Sequence, residues 1–472
     1  MAELKVNIRM YRVEELGDCF LLNFKDGGKE SNVLIDCGSF RNNKTSIPRM
    51  QKIAGHIKSS LSPEKASLPL DVVVGTHQHN DHLSGFVHAK DIFKDIVCNQ
   101  VWLSWLDKPT DKQATDIANG QRKLAGKLQE VAVEMAKVAQ FQGREELQTV
   151  NDILGFYAVD GPPPDRKTPL VPQMAVDLLK KMGEVGYLEP GTTLDLPGLD
   201  PGSVRVHVLG PPRDNSQLFD IKPGKGESYD SHIAAATAMA EGFFSALTNF
   251  TDGPPDDDEP FFPFDRRYEI KIPASDFIKN IYEDKKHDWR KIDDAWLDQA
   301  ELLALYLDSY TNNSSLVLAF ELVHSGKVLL FVGDAQTGNW LSWKDIKWKN
   351  AAPLLDDLLG RTVLYKVGHH CSHNATLPEY LEKMVHPELV AMIPVDRSDP
   401  NINREKHGWK MPAINLYRRL KDLTNGRILR MDCYYESDCG PDMKDARKHW
   451  GALKDNVKVD NDGLFVEYTI DG

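Results

Sequence analysis

Apolar and polar positions alternate through the first forty residues. VNIRMYRV, CFLLNF and NVLIDCG have the two-residue period of half-buried strands, and GDC and KDGGKESN between them carry turn residues. A β-meander is predicted. LPLDVVVGT (68–76) is instead a nearly unbroken apolar run, as in a strand covered on both faces. IVCNQVWLSW (96–105) predicts another strand. From about 111 to 186 the period becomes helical, in TDIANGQRKLAGKLQEVAVEMAKVAQF and again in MAVDLLKKM, with the turn GPPPD at 161–165 between them. GTTLDLPG and SVRVHVLGPP (203–212) return to β character. Helical patterns at 231–250 and 289–309 flank TDGPPDDDEPFFPFD (251–265), which has six acidic residues and no basic one and reads as a solvated linker. SSLVLAFELV and GKVLLFVGD predict two strands about His324-Ser325-Gly326, followed by a helix with Trp340, Trp343 and Trp348. TVLYKVGHH predicts a buried strand ending in histidines. LVAMIPV and RILRMD, with a helix at 412–424 between them, complete an α/β pattern.

The 472 residues are 41% hydrophobic and 27% charged, ordinary for a globular chain, and they exclude fibrous and wholly disordered classes. The 57 basic and 70 acidic residues leave a net charge of −13, so indiscriminate binding to nucleic acid or anionic membrane is not expected, although a local cleft can still take a nucleotide. No apolar run reaches the ~20 residues of a spanning helix, and the N-terminal MAELKVNIRMYRVEE lacks the apolar core of a secretory signal. The six cysteines form no C-x-x-C pair, which argues against a disulfide scaffold and for a reducing cytoplasm.

The chemistry concentrates in Thr76-His77-Gln78-His79-Asn80-Asp81-His82, directly after the buried run 68–76. In an extended segment His77 and His79 project to the same side and can grip one ion together. Asp81 and His82 fall where the chain should turn into the helix LSGFVHAK, so they diverge to a neighbouring position. Imidazole and carboxylate suit zinc, manganese and iron alike. With only fifteen histidines in the chain, such clustering is not a chance polar loop.

H-x-H-x-D-H after a strand resembles the signature of the metallo-β-lactamase-fold hydrolases. Asp36 in LIDCG matches the family's early carboxylate, which orients a ligating histidine from behind. Asp334 in LLFVGDAQ matches the carboxylate that bridges two metals. His369-His370 in KVGHHCSHN matches the late ligand, with His369, ending the strand, the favoured one. GDCFLL, NNSSLVLAFE and LYKVGHHCSHN further resemble the stand-alone relatives of the nuclease-like domain of competence (DNA-uptake channel) proteins. Cys371 stands where that branch usually has glycine, and it reads as a space-filling residue. The resemblance covers about 1–105, 190–235 and 312–435.

It implies one domain over 1–472, an αββα sandwich with its metals where strand ends converge. The sandwich would carry a helical insertion at about 106–190 and a second, with the acidic loop, at about 236–311; residues 312–472 would form its C-terminal half. One or two divalent ions, zinc first, would activate water for hydrolysis of a phosphodiester in a nucleic acid or nucleotide. Asp81 would bind metal and orient the attacking water. Lys366, His370, Ser372 and His373 are candidates for holding the substrate's charge or protonating the leaving group. Many relatives supply a further histidine before the bridging aspartate. Here VHVLGPPRDN offers His207, a few residues early and read first as a hydrogen-bonded strand residue; Asp214 is the alternative, or a weak, water-filled site. His407 matches a late family histidine only loosely. Two rival functions are hydrolysis of a thioester, lactone or β-lactam, and a non-hydrolytic metal-containing sensor or assembly module.

Overall fold

The computed structural model describes residues 4–62, 67–137, 145–157, 170–218, 298–349, 355–403, 408–433 and 450–472. The 231–250 helix, the acidic loop 251–265 and His407 lie outside the described residues.

The alternating N-terminal runs form an antiparallel meander: β1 (Lys5–Tyr11), β2 (Cys19–Asp26) and β3 (Lys29–Cys37). Helix α1 (Ser46–Ser60) crosses over to β4 (Leu70–Val74), which pairs parallel to β3 and is buried at every position, as its unbroken apolar run requires. The histidine segment enters α2 (Asn80–His88), and β5 (Cys98–Ser104) follows parallel to β4.

The first insertion supplies α3 (Lys112–Lys137), α4 (Glu145–Gly155) and α5 (Val171–Leu179). It does not run as helix to 190. Glu184–Leu188 is a strand, β6, that extends the first sheet beside β5. Glycines at 183 and 186 disfavour helix there, and at Gly183 a Cβ would collide with the Cys98 carbonyl oxygen at 2.9 Å.

The second sheet begins with β7 (Thr193–Asp195) and β8 (Val204–Gly210). After α6 (Asp298–Asn313) come the hairpin β9 (Val317–Leu322) and β10 (Lys327–Phe331), then α7 (Thr337–Ser342), which carries Trp340 only. Trp343 opens a 3-10 turn and Trp348 lies beyond it. The parallel strands β11 (Thr362–Lys366), β12 (Val390–Ile393) and β13 (Ile428–Arg430) follow, with α8 (Ile414–Leu423) before the last.

The chain end departs from expectation. β14 (Val457–Val459) and β15 (Phe465–Asp471) return to the first sheet, where β15 pairs along the whole of β1, so 312–472 is not one half of the sandwich. The protein is therefore a mixed α/β structure. One eight-stranded sheet runs β14-β15-β1-β2-β3-β4-β5-β6, and one seven-stranded sheet runs β13-β12-β11-β10-β9-β8-β7.

The sheets pack face to face. Leu318, Phe320, Leu329 and Phe331 join the core shared with β1–β5, while the alternate residues Val317, Ala319, Val328 and Leu330 pack on the other side with α6 and the tryptophans. Between the sheets Phe331 meets Phe20 edge-on at 5.6 Å, and Phe24 lies 5.7 Å from Phe320. Among the described residues no helix is long and apolar enough to cross a membrane. Cys19, Cys37, Cys98 and Cys371 are buried free thiols, and Cys433 is in a disulfide.

Phe331 is 1% exposed and links both sheets. Phe331→Ala is expected to cost about 3–5 kcal/mol through lost burial and a residual cavity. Urea unfolding monitored by tryptophan fluorescence measures this; an unchanged midpoint would mean that the interface does not depend on the aromatic contact.

Candidate metal centre

Five loops converge at one edge of the paired sheets. They are the turn before β2 (Asp18), the end of β3 (Asp36), the loop after β4 (His77 to His82), the loop after β10 (Asp334) and the turn after β11 (His370). Strand ends are where a parallel sheet presents its loops, so residues distant in sequence meet there. Two glycines permit the close approach. A Cβ on Gly38 would lie 2.4 Å from the His82 nitrogen, and Gly333, at φ +54°, holds the turn that delivers Asp334.

Asp81, His82, Asp334 and His370 form one group whose donor atoms all lie within 4.8 Å of one another. Asp81 Oδ2 is 2.9 Å from His370 Nε2 and 3.8 Å from His82 Nε2; Asp334 Oδ2 is 3.1 Å from His82 Nε2 and 3.3 Å from His370 Nε2. Bonds of 2.0–2.1 Å in a tetrahedral zinc site give edges of about 3.3 Å, close to these spacings. Asp81 Oδ1, His82 Nε2 and Asp334 Oδ2 are buried without a hydrogen-bond partner. Orphaned polar atoms carry a desolvation cost that a cation among them would remove. The residues present fit a divalent ion.

The surrounding bonds point the histidines inward. His82 Nδ1 donates to Asp36 Oδ2 at 2.7 Å, and His370 Nδ1 donates to the Pro394 carbonyl oxygen at 2.7 Å, which turns each Nε2 toward the centre, where His370 Nε2 donates to Asp81 Oδ2 at 2.9 Å. Asp36 also accepts from the Thr76 amide and hydroxyl, which fixes the strand end.

His77 and His79 stand beside this group. His77 Nε2 lies 3.1 Å from His79 Nδ1. The remote nitrogens have partners: His77 Nδ1 reaches the Thr76 and Ser315 hydroxyls, and His79 Nε2 reaches the Tyr157 hydroxyl at 3.3 Å. Thr76 spends its proton on Asp36 and Tyr157 on Thr311 or the Leu307 carbonyl. Ser315 Oγ accepts from the Asp334 amide and keeps its own proton for His77 Nδ1, and the facing nitrogens of His77 and His79 share one space at hydrogen-bonding distance. Among the described residues no third histidine completes this pair. His207 sits within β8, bonded to Thr193 Oγ1 and 2.9 Å from Glu321. Asp214 is exposed and accepts from the Ser216 amide and hydroxyl.

The two groups differ electrically. Burial drives His77 well down and takes His79 down to about 3. Burial also opposes charge on His370, but Asp334, Asp81 and Asp18 push it up to about 10, and carboxylates likewise raise His82 well above its usual value. The four-residue group attracts positive charge; the His77–His79 pair is neutral.

Three expectations need correction. His369 does not join the cluster. β11 ends at Lys366, and His369, His370 and Cys371 turn left-handed with φ of 39°, 49° and 64°. That turn sends His370 inward. His369 Nδ1 instead lies 3.0 Å from Gln336 Nε2 and 2.8 Å from Ser372 Oγ, and its backbone amide reaches Asp334. Lys366 is neither solvated nor free for substrate. It is 1% exposed, with Nζ 2.5 Å from Asp18, 3.3 Å from Asp334 and 2.7 Å from the Gly333 oxygen. His373 is exposed on the turn, and Leu377 rather than His373 precedes the next short helix. Ser372 is committed to His369 and Asn374. Cys371 is fully buried in the outer core, so it fills space.

Sequence reasoning missed Asp18, read only as part of a turn, and Asp308 of α6. Asp308 accepts from Asn312, and burial with the nearby Asp81 and Asp334 charges pushes it up to about 7. Asp18 lies in GDCFLL, one of the segments that carry the resemblance, but its carboxylate was not picked out there, and Asp308 belongs to no local motif. No family model matches the chain, and no curated protein matches it.

His370→Ala is expected to abolish tight metal retention, and His369→Ala to preserve it, as read by elemental analysis of purified protein. The reverse pattern would reassign the late ligand. Cys371→Gly should keep the metal and change stability by under about 1 kcal/mol, because glycine accepts the positive φ while losing a small buried side chain. Metal loss in that variant would give the thiol a role it lacks here.

Proposed function

We propose that the chain is a metal-dependent hydrolase of the metallo-β-lactamase fold that cleaves phosphodiesters in a nucleotide or nucleic acid. The observation that carries this reading is the convergence of Asp81, His82, Asp334 and His370, from both halves of the chain, with three buried donor atoms left unbonded. The two facing sheets and the strand-end position of the site are consistent with that fold. When bound, a dication supplies Lewis acidity, polarising the scissile group and making water acidic enough to attack at neutral pH.

The chain's own residues have distinct tasks. Asp81 offers Oδ2 to the donor group and keeps Oδ1 free to orient a water. Asp36 and Pro394 fix the ring orientation of His82 and His370. Lys366 offsets Asp18 and Asp334 so that the carboxylates can stay buried and ionised. His77 and His79 form a neutral second donor pair that favours a more weakly held ion.

The phosphodiester assignment rests on the resemblance to the competence-protein branch. A second reading, hydrolysis of a lactone or thioester, is favoured by the commitment of Lys366, which leaves no buried lysine free to hold a phosphate among the described residues. Turnover of bis(p-nitrophenyl) phosphate, single-stranded DNA and a lactone by metal-loaded protein separates the two. The expected result is phosphodiester cleavage that falls at least about 10²–10³-fold in Asp81→Ala. Cleavage of the lactone alone would select the second reading, and a rate unchanged by Asp81→Ala would refute the site.

A further inference from the structure

The Lys366 ammonium already occupies one cation position at the edge where the donor group assembles. Nζ meets Asp18 Oδ2 at 2.5 Å, the Gly333 carbonyl oxygen at 2.7 Å and Asp334 Oδ1 at 3.3 Å. The residue is 1% exposed, so its charge acts through protein rather than through bulk water.

This contact divides the two oxygens of Asp334. Oδ1 accepts from Lys366 Nζ and from the His369 backbone amide at 3.1 Å. Oδ2 is buried without a hydrogen-bond partner and faces His82 Nε2 at 3.1 Å and His370 Nε2 at 3.3 Å. A carboxylate that spans two cations through both oxygens needs both of them free. Here one is held by two donors, and one of those donors carries a full positive charge. The lysine and the amide also fix the carboxylate plane, so Oδ1 cannot turn to an ion held by His77 and His79.

The charge balance points the same way. Asp18, Asp36, Asp81 and Asp334 are four buried carboxylates, and Lys366 is the ammonium set among them. Imidazoles bind metal in their neutral form. One dication then leaves the set with a single negative charge, whereas a second would make a buried site net positive, which is costly. With an uncharged residue at 366, two dications would balance the four carboxylates. The His77 and His82 rings are 4.2 Å apart, so an ion at the His77–His79 pair would stand close to the first.

We propose that Lys366 stands in for a second cation: it is a positioning residue that keeps Asp334 a one-oxygen ligand and limits the centre to one tightly held dication per chain. The proposal rests on the metal centre of the hydrolase reading and names the residue that sets how many ions it holds.

Elemental analysis of the full-length protein, loaded with excess zinc and dialysed into metal-free buffer, tests it. The wild type should retain one zinc per chain, and Lys366→Arg, which keeps the charge, should do the same. Lys366→Met and Lys366→Gln remove the charge and should retain two. Competition with a chromophoric chelator should show the second zinc bound at least about tenfold more tightly in the neutral variants than in the wild type. Circular dichroism checks that each zinc-loaded variant is folded, and the wild-type stoichiometry stands as a test by itself. Two zinc ions retained by the wild type, or a second ion gained by neither neutral variant, overturns the proposal and leaves the hydrolase reading in place. One zinc per wild-type chain with no cleavage of a phosphodiester or a lactone overturns the hydrolase reading alone. A wild type that retains no zinc overturns both.

Discussion

Four carboxylates are buried side by side at the meeting point of the two sheets. Asp18, Asp36, Asp81 and Asp334 are each at most 1% exposed. Isolated ionised carboxylates do not survive such burial. They stay here because Lys366 faces Asp18 and Asp334, because Asp36 accepts two bonds from Thr76, and because His82 and His370 lie among them. Much of the local architecture serves this arrangement. β11 must end in a lysine aimed inward, Gly38 must let the 81–82 backbone approach, and a left-handed turn must present His370. Without a metal, protons on His82 and His370 supply the missing positive charge, which is why carboxylates raise both imidazoles. A dication held by the same four residues would take the place of those protons.

This dependence explains what could be read from the chain before its fold was known. The cluster from His77 to His82 was legible because it is contiguous and follows an unmistakable buried strand. Asp36 and Asp334 were legible through the family resemblance, each at the end of an apolar run. The choice between His369 and His370 was not, since adjacent residues differ only in which side of the chain they face, and the positive φ values that decide it leave no mark in composition. Nor was the duty of Lys366, because a lysine in a strand names no partner, and Asp18 lies 348 positions away in sequence. The strand pattern held through most of the two sheets. It failed for β6, which is short and glycine-flanked at the end of a helical stretch, and for β15, whose pairing with β1 spans almost the full chain.

The two donor groups at this edge are unequal, and the inequality orders the proposed chemistry. Asp81, His82, Asp334 and His370 combine two anions with two oriented imidazoles. His77 and His79 are neutral and have no third ligand among the described residues, and His77 borders the cleft between the insertions. A first cation is favoured at the charged group by Coulomb attraction that the pair does not offer. An ion at the pair would be held by two nitrogens and the neighbouring Asp334 charge, so it keeps coordination positions for water or substrate, the condition that separates a catalytic site from a structural one. A pair without a third histidine among the described residues is compatible with hydrolysis: its open position lies next to His77, which the cleft reaches. The insertions then have a physical reason to sit where they do. Tyr157 meets His79, and the space between α3 and α6 reaches His77 past hydrogen-bonding side chains, with Asp107 and Arg122 as the charged groups of its lining.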